Sequence, residues 1–103
     1  MKQQQQSAGA TPEITDNSER AQYELRMDCQ VAAVAQYRME DQAVCFTHTQ
    51  VDSAYEGQGL GSKLAAYALD DVKRRGLKAI PTCRFIAGYI ARHEKEYGAL
   101  VPS

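Results

Sequence analysis

The hydrophobic and polar positions alternate over three consecutive stretches in the first half of the chain. In residues 22–27 one side is formed by Tyr23, Leu25 and Met27, which is the two-residue period of a half-buried strand. In residues 31–39 a shared face is formed by Val31, Ala33, Ala35, Tyr37 and Met39. Residues 43–51 are apolar on both faces, as expected for a strand inside a sheet, with Val44 and Phe46 on one face and Cys45 and Val51 on the other. Because the polar turns between them are short, these three strands are predicted to form an antiparallel meander.

The apolar spacing becomes helical in the second half of the chain. One helix is predicted to begin near residue 60 and to end at Gly76, with an inner stripe of Leu60, Leu64, Tyr67, Ala68 and Val72. A short apolar strand follows over residues 77–82 and should end at Pro81 or lie at a sheet edge there, because proline lacks a main-chain N–H. A second helix is predicted over residues 85–95, with an inner stripe of Phe85, Ile86, Tyr89 and Ile90. Because a strand–helix–strand crossover is right-handed and parallel, the sequence predicts an α+β fold with a mixed sheet and two helices.

The composition predicts one domain that begins after a leader segment. Residues 1–20 contain four consecutive glutamines and little apolar content beyond Ile14, which is typical of disordered sequence. We therefore expect residues 1–20 to be a disordered leader and residues 21–103 to form a single domain. No apolar run approaches the roughly 20 residues of a membrane span, and residues 1–10 lack the apolar core of a signal peptide. The simplest expectation is a cytoplasmic protein without a membrane partner.

Charge and cysteine content exclude several functional classes. Twelve basic and thirteen acidic residues give a formal net charge of −1, so nothing in the overall charge favours nucleic acid as a partner. The three cysteines, Cys29, Cys45 and Cys83, show no CxxC spacing, which argues against a zinc site and a disulfide framework. The two histidines and the scattered carboxylates form no metal-ligand pattern either, so no metal is expected.

Three glycines at alternate positions lie between the third predicted strand and the first helix. Gly57, Gly59 and Gly61 run directly into the helix, and glycine lets a ligand approach the main chain closely. The free N–H groups of the first helical turn favour an anion such as a polyphosphate. The segment does not fit the dinucleotide fingerprint, because Ser62 replaces its third glycine, and it does not fit the P-loop order. The same glycines also fit a tight strand-to-helix connection that binds no ligand, and the spacing alone leaves both interpretations open.

Several segments together resemble a known superfamily. They are Phe46–Val51, Glu56–Leu64, Leu69–Asp71, Arg75–Lys78, Ile80–Cys83 and Tyr89–Glu94. In order and spacing they are similar to the short, single-domain branch of the GCN5-related N-acetyltransferase superfamily, over about residues 19–101. The signature Q/R-x-x-G-x-G/A of that superfamily corresponds here to Glu56-x-x-Gly59-x-Gly61, so an acid replaces the first residue. This departure puts any phosphate contact by the side chain of residue 56 in doubt, although it matters little if main-chain amides bind the phosphates.

The resemblance implies acetyl-coenzyme A as cosubstrate, with its pyrophosphate at the glycine loop. The cofactor-binding residues that it implies are Val51, Gly57, Gln58, Gly59, Leu60, Gly61, Ser62 and Lys63. Main-chain groups near Val51 would pair with the pantetheine amides as an added strand does, and the thioester would lie where the third strand diverges from the strand that ends near Cys83. Lys63 could supply the positive charge that position 56 lacks, or it is simply a solvated helix lysine.

Three residues are candidates for the chemistry of acetyl transfer, each with a structural alternative. His48 is the candidate base, since imidazole titrates near physiological pH, or else it is a structural histidine. Cys83, before the second helix and next to Arg84, could accept the acetyl group, donate a proton or simply line the pocket. Tyr89 could protonate the coenzyme A thiolate, or it packs in the core. Relatives in the short branch often carry glutamate where this chain has Gln50, and an amide cannot act as a base.

Taken together, the residues and the resemblance predict an acetyl-coenzyme A–dependent N-acetyltransferase that acts on a small-molecule or protein amine. A binding module for acetyl-coenzyme A with little turnover is the alternative, favoured by Gln50. A nucleic-acid or protein interaction domain that uses the basic segment Lys73–Arg75 is a third hypothesis. The near-neutral charge and the lack of interleaved aromatic and basic residues count against it.

Overall fold

A five-stranded mixed sheet with helices packed on it forms the fold, and the computed structural model describes residues 12–102. The strands lie in chain order across the sheet: β1 (Glu13–Asn17), β2 (Gln22–Met27), β3 (Gln30–Glu40), β4 (Ala43–Val51) and β5 (Lys78–Pro81). The helices are α1 (Leu60–Arg74), α2 (Arg84–Arg92) and α3 (Glu94–Tyr97). Strands β1 to β4 are antiparallel, and β5 pairs with β4 in parallel. The predicted α+β fold is therefore confirmed, with one strand more than the sequence predicts.

That additional strand, β1, lies inside the segment predicted to be a disordered leader. Residues 13–17 pair with β2 along their whole length, so for them the prediction is wrong, while residues 1–11 lie outside the described residues. The strand is held by polar contacts that an apolar pattern does not reveal. Oδ1 of Asp16 accepts a hydrogen bond of 2.5 Å from the hydroxyl of Tyr37, and Oδ2 of Asp16 lies 3.6 Å from Nη1 of Arg75.

A bulge in β4 changes which side chains share a face. Gln36 pairs with His48, but the next residue of β3, Tyr37, pairs with Phe46, so Thr47 has no partner. Such a bulge shifts the alternation of side chains by one residue. As a result Val51 packs against the same core as Phe46, and its predicted place on the face of Cys45 is wrong. His48, in contrast, lies on the opposite face from Phe46.

The core lies between one face of the sheet and the helices. Its largest fully buried side chains include Tyr23, Leu25 and Phe46 from the strands, and Leu64, Leu69, Val72 and Ile86 from the helices. On the face of the sheet away from this core, Glu24 is only 4% exposed. Hydrogen bonds from Gln22, and then from Asn17, lower the pKa of the Glu24 carboxyl, although its burial acts in the opposite direction. Within residues 12–102 no helix has both the length and the apolar content to cross a membrane.

Three large apolar side chains that the sequence predicts to be buried are exposed: Met39 by 47%, Tyr67 by 42% and Phe85 by 38%. Met39 lies at the end of β3, next to the turn into β4. Tyr67 lies on the flank of α1, with its ring edge-on to Tyr23 at a centroid distance of 6.2 Å. Phe85 lies over the first turn of α1 and contributes to the site described below.

The second predicted helix ends three residues early. Its last helical residue is Arg92, and the chain leaves the helical conformation at His93 before a short third helix. Nδ1 of His93 lies 2.9 Å from the carbonyl oxygen of Tyr89, so the imidazole ring occupies the end of the helix. The break at His93 thus falls within the predicted range of residues 85–95.

Candidate functional site

A gap opens in the sheet where β4 continues past β5. The parallel pairing ends at Phe46 and Pro81, while β4 runs on to Val51. At this point the carbonyl oxygen of Phe46 accepts hydrogen bonds from the amide of Cys83 at 3.0 Å and from the hydroxyl of Thr82 at 2.7 Å. Beyond it, no described strand lies beside residues 47–51 on the side away from β3. The strand therefore presents main-chain donors and acceptors with which an extended ligand can pair.

The glycine loop connects the end of this strand to α1. Gly57 and Gly59 adopt positive φ angles of 86° and 72°. Most residues other than glycine, asparagine and aspartate tolerate such angles poorly. Gly59 is the residue that precedes the helix, and it has no side chain to cap the free N–H groups. The first helical hydrogen bond runs from the amide of Lys63 to the carbonyl of Gly59 at 3.2 Å. The N–H groups of residues 60–62 thus point out of the helix end, where an anion is favoured.

Electrostatics at this helix end also favour an anion. The first turn of α1 carries no acidic side chain, and Lys63 is a residue of that turn with an exposed side chain. Glu56 is exposed, and its amide bonds to the carbonyl of Ser53 at 3.4 Å. The residue is therefore solvated at the start of the loop, although it also lines the cleft described below.

A cleft of about 300 Å³ lies between the glycine loop, the end of β4 at Val51 and the start of α2, and neither Thr49 nor Cys83 lines it. It is lined by Val51, Tyr55, Glu56, Gly57, Gly59, Leu60, Gly61, Ser62 and Phe85. Most of the residues expected to bind the cofactor are thus brought together, whereas Gln58 and Lys63 are exposed and do not line the cleft. The two aromatic residues, Tyr55 and Phe85, were not expected there. Phe85 comes from α2, and no sequence pattern predicts its contact with a loop more than twenty residues earlier.

Cys83 lies at the gap and forms a hydrogen bond across it. The residue is 8% exposed, and its Sγ donates to Oγ1 of Thr49 at 3.2 Å. Because of the bulge at Thr47, Thr49 and Val51 both point to the side of the sheet that carries the helices. Thr49 was not a predicted site residue, since only the register of β4 against β3 determines its direction.

His48 points to the other side of the sheet from Thr49, because neighbouring residues of a strand alternate in direction. Its Nε2 lies 3.3 Å from Oε1 of Gln50 on the same face, and both side chains are exposed. An amide oxygen that accepts from Nε2 leaves Nδ1 as the proton acceptor of the imidazole. The amide of Gln50 cannot itself serve as a base, but its contact with Nε2 orients the imidazole of His48, the candidate base.

Tyr89 packs among aromatic residues of α2 and α3. Its ring stacks on His93 at a centroid distance of 4.1 Å, and the ring of Tyr97 lies 6.0 Å away. Burial, with smaller contributions from Glu96 and Asp70, raises the pKa of the Tyr89 phenol, so the hydroxyl keeps its proton at neutral pH. The residue is 8% exposed and is not one of those that line the cleft.

Comparisons with known proteins agree with this geometry. The family model described as GCN5-related N-acetyl-transferase matches residues 22–100. The chain is 34% identical to protein NATD1 of Gallus gallus over 84 residues, which cover 80% of this chain and 76% of that protein. It is also 34% identical to protein NATD1 of Homo sapiens over 84 residues, which cover 80% and 74% of the two chains.

Solved structures share the fold. A GCN5-like putative N-acetyltransferase from Staphylococcus aureus superposes with a TM-score of 0.64 at 24% identity, covering 88% of each chain. The ribosomal-protein-S18-alanine N-acetyltransferase from Escherichia coli superposes with a TM-score of 0.60 at 25% identity. That match covers 79% of this chain and 54% of the enzyme, so the chain spans about half of its length. Since the family model matches most of the chain, the protein belongs to the GCN5-related N-acetyltransferase family.

Proposed function

We propose that this protein binds acetyl-coenzyme A in the cleft beside β4 and transfers the acetyl group to an amine. One observation carries the proposal: the gap beyond Phe46 and Pro81 leads directly to a helix N-terminus preceded by two glycines with positive φ. The free N–H groups there suit a pyrophosphate, and the unpaired edge of β4 suits the amides of a pantetheine arm. Membership of the family supports both assignments.

In this arrangement the thioester lies near the Cys83–Thr49 pair. The amine nitrogen attacks the thioester carbonyl carbon, a C–N bond forms, and the C–S bond breaks with the electron pair on sulfur. The ammonium form of an amine with a pKa near 10.4 must first lose a proton. Nδ1 of His48 receives that proton, directly or through water. The leaving thiolate takes a proton from the thiol of Cys83 or from the phenol of Tyr89, and the second proton of the attacking nitrogen, released as the amide forms, returns through water to that donor.

The acceptor is proposed to be an exposed amine of a small molecule or a protein. His48 and Gln50 lie on the sheet face away from the core, and no helix among residues 12–102 is inserted between the antiparallel strands. An acceptor can therefore approach this face without entering an enclosed pocket, which suits an exposed lysine or a polyamine.

Calorimetric titration with acetyl-coenzyme A, followed by transfer assays on an amine panel, tests the function. Binding together with acetylation of at least one amine supports it. Binding without turnover on the whole panel would make the protein a coenzyme A–binding module instead. Absence of binding would contradict both, and salt-sensitive affinity for nucleic acid would then favour an interaction domain.

The role of His48 leads to a first prediction. We expect His48→Ala to lower kcat about 100-fold, the usual contribution of a general base, and to leave the Kd for acetyl-coenzyme A unchanged. Gln36→Ala is the matched control, because Gln36 is the exposed cross-strand neighbour of His48. Equal rates for the two variants would exclude His48 as the base.

A second prediction concerns Cys83. Because the family resemblance implies direct attack by the amine, we expect Cys83→Ala to keep measurable transfer, with a loss of at most about 100-fold if Cys83 is the proton donor. Mass spectrometry of the wild-type protein with acetyl-coenzyme A should then find no acetyl group on Cys83 during turnover. Complete loss of activity together with an acetylated Cys83 would show a covalent route.

A further inference from the structure

The phenyl ring of Phe85 lies in the wall of the cleft, against Gly61. Phe85 lies in the first turn of α2, where its side chain is 38% exposed. A Cβ atom built on Gly61 would lie 2.8 Å from Cζ of this ring. Gly61 has no positive φ angle, so its backbone conformation does not require glycine. With the ring of Phe85 in this position, there is no room for a Cβ atom on residue 61.

The phenyl ring is connected to both ends of the proposed ligand path, through a contact at one end and through the chain at the other. Gly61 belongs to the helical turn whose N–H groups are assigned to the pyrophosphate. Cys83 precedes Phe85 by two residues and faces Thr49 at the gap assigned to the thioester. A ligand that runs from the loop along the edge of β4 to the gap would therefore pass the cleft wall to which the phenyl ring belongs.

We propose that Phe85 binds the apolar part of the pantetheine arm, its dimethyl-substituted carbon and neighbouring methylene groups, and that Gly61 is glycine in order to seat this ring. A phenyl ring gains nothing from a phosphate, whereas burying apolar groups against it is favourable. The inference rests on the proposed function and adds an affinity-determining residue to it. It also gives the third glycine of the loop a role different from that of the first two.

Titration of coenzyme A into variants at position 85 tests this contact. Phe85→Ala should weaken binding about tenfold, equivalent to about 1.4 kcal/mol, while Phe85→Leu should stay within about threefold of the wild type because it keeps an apolar wall. Tyr67→Ala is the matched control, since Tyr67 is an aromatic residue 42% exposed on α1 and does not line this cleft. Unchanged affinity in Phe85→Ala, or an equal loss in Tyr67→Ala, would overturn the inference.

Gly61→Ala tests separately whether glycine at position 61 is needed to hold the phenyl ring of Phe85 in its position. The phenyl ring is the far end of a partly exposed side chain, so it can swing away from the new methyl group at little cost in stability. We expect Gly61→Ala to weaken coenzyme A binding about tenfold in the wild-type background and by less than about twofold in the Phe85→Ala background. Independent sites would give additive losses, and additive losses here would overturn the inference.

Titration of the wild-type protein with coenzyme A distinguishes a failure of the proposed function from a failure of the role assigned to Phe85. If the wild-type protein does not bind coenzyme A, the proposed function falls, and this inference falls with it. If the wild-type protein binds and the variants at positions 61 and 85 bind equally well, only the role of Phe85 is wrong. Thermal unfolding of each variant checks that the fold is intact.

Discussion

Gly59→Asp should reduce the affinity for acetyl-coenzyme A at least about 100-fold. The substitution adds a carboxylate at the residue that precedes α1, beside the N–H groups assigned to the pyrophosphate. Two unit charges about 4 Å apart repel each other by about 1 kcal/mol in water and by about 4 kcal/mol near a protein surface. A loss of about 3 kcal/mol corresponds to roughly 100-fold in Kd. Calorimetric titration measures the change directly.

Gly59→Asn is the matched control for this variant. Asparagine has nearly the same shape as aspartate, and both tolerate the left-handed conformation that residue 59 adopts at a φ of 72° better than most residues. An added Cβ meets nothing within 4 Å, so both variants should fold with similar midpoints of thermal unfolding. The affinity should fall far more for aspartate than for asparagine. Equal affinities would mean that no phosphate lies at this helix end.

Asp71→Ala should lower the free energy of unfolding by about 2–3 kcal/mol, the cost of leaving a buried polar group without a partner. Oδ2 of Asp71 accepts a hydrogen bond of 2.7 Å from the hydroxyl of Tyr23, and Tyr23 is fully buried. The ion pairs of Asp71 with Arg74 and Arg75 are on the surface and contribute little. For a domain of this size the thermal midpoint should fall by roughly 10–20 °C, which scanning calorimetry or circular dichroism measures.

In the Asp71→Ala variant the hydroxyl of Tyr23 loses its acceptor, so removing that hydroxyl should restore part of the stability. In the Asp71→Ala background, Tyr23→Phe should be neutral or stabilising, whereas in the wild-type protein it should be destabilising by about 1 kcal/mol. The double-mutant cycle isolates the bond between the two side chains. If Tyr23→Phe is equally destabilising in both backgrounds, the hydrogen bond does not account for the effect of Asp71.

The hydrogen bond between Tyr23 and Asp71 also predicts that the stability of the protein depends on pH. Burial raises the pKa of the Asp71 carboxyl, but hydrogen bonds from Tyr23, Arg74 and Arg75 outweigh burial, so the pKa is lowered. A carboxyl with a lowered folded pKa stabilises the protein above its unfolded value, near 3.9, and this contribution is lost as the pH falls through the folded value. The stability of the wild-type protein should therefore fall more steeply below about pH 4 than that of Asp71→Ala.

The elements and the glycine loop were predictable because their signals are local. Alternation within β2, β3 and β4, helical spacing within α1 and the glycines at 57 and 59 each depend on neighbours along the chain. β1 was not predictable from an apolar pattern, since Ile14 is its one large apolar residue. The contacts that hold it join Asp16 to Tyr37 and Arg75, residues that are distant in sequence.

By itself, the sequence determined the order of strands and helices, the position of the glycine loop and the family to which the chain is similar. Only the tertiary structure decided which side chains face the proposed cofactor. The unpaired Thr47 turns Thr49 and Val51 toward the helices and His48 away from them, and the packing of α2 on α1 brings Phe85 onto Gly61. Register and packing depend on residues far apart along the chain, whereas the periodicity of a segment depends only on its own residues.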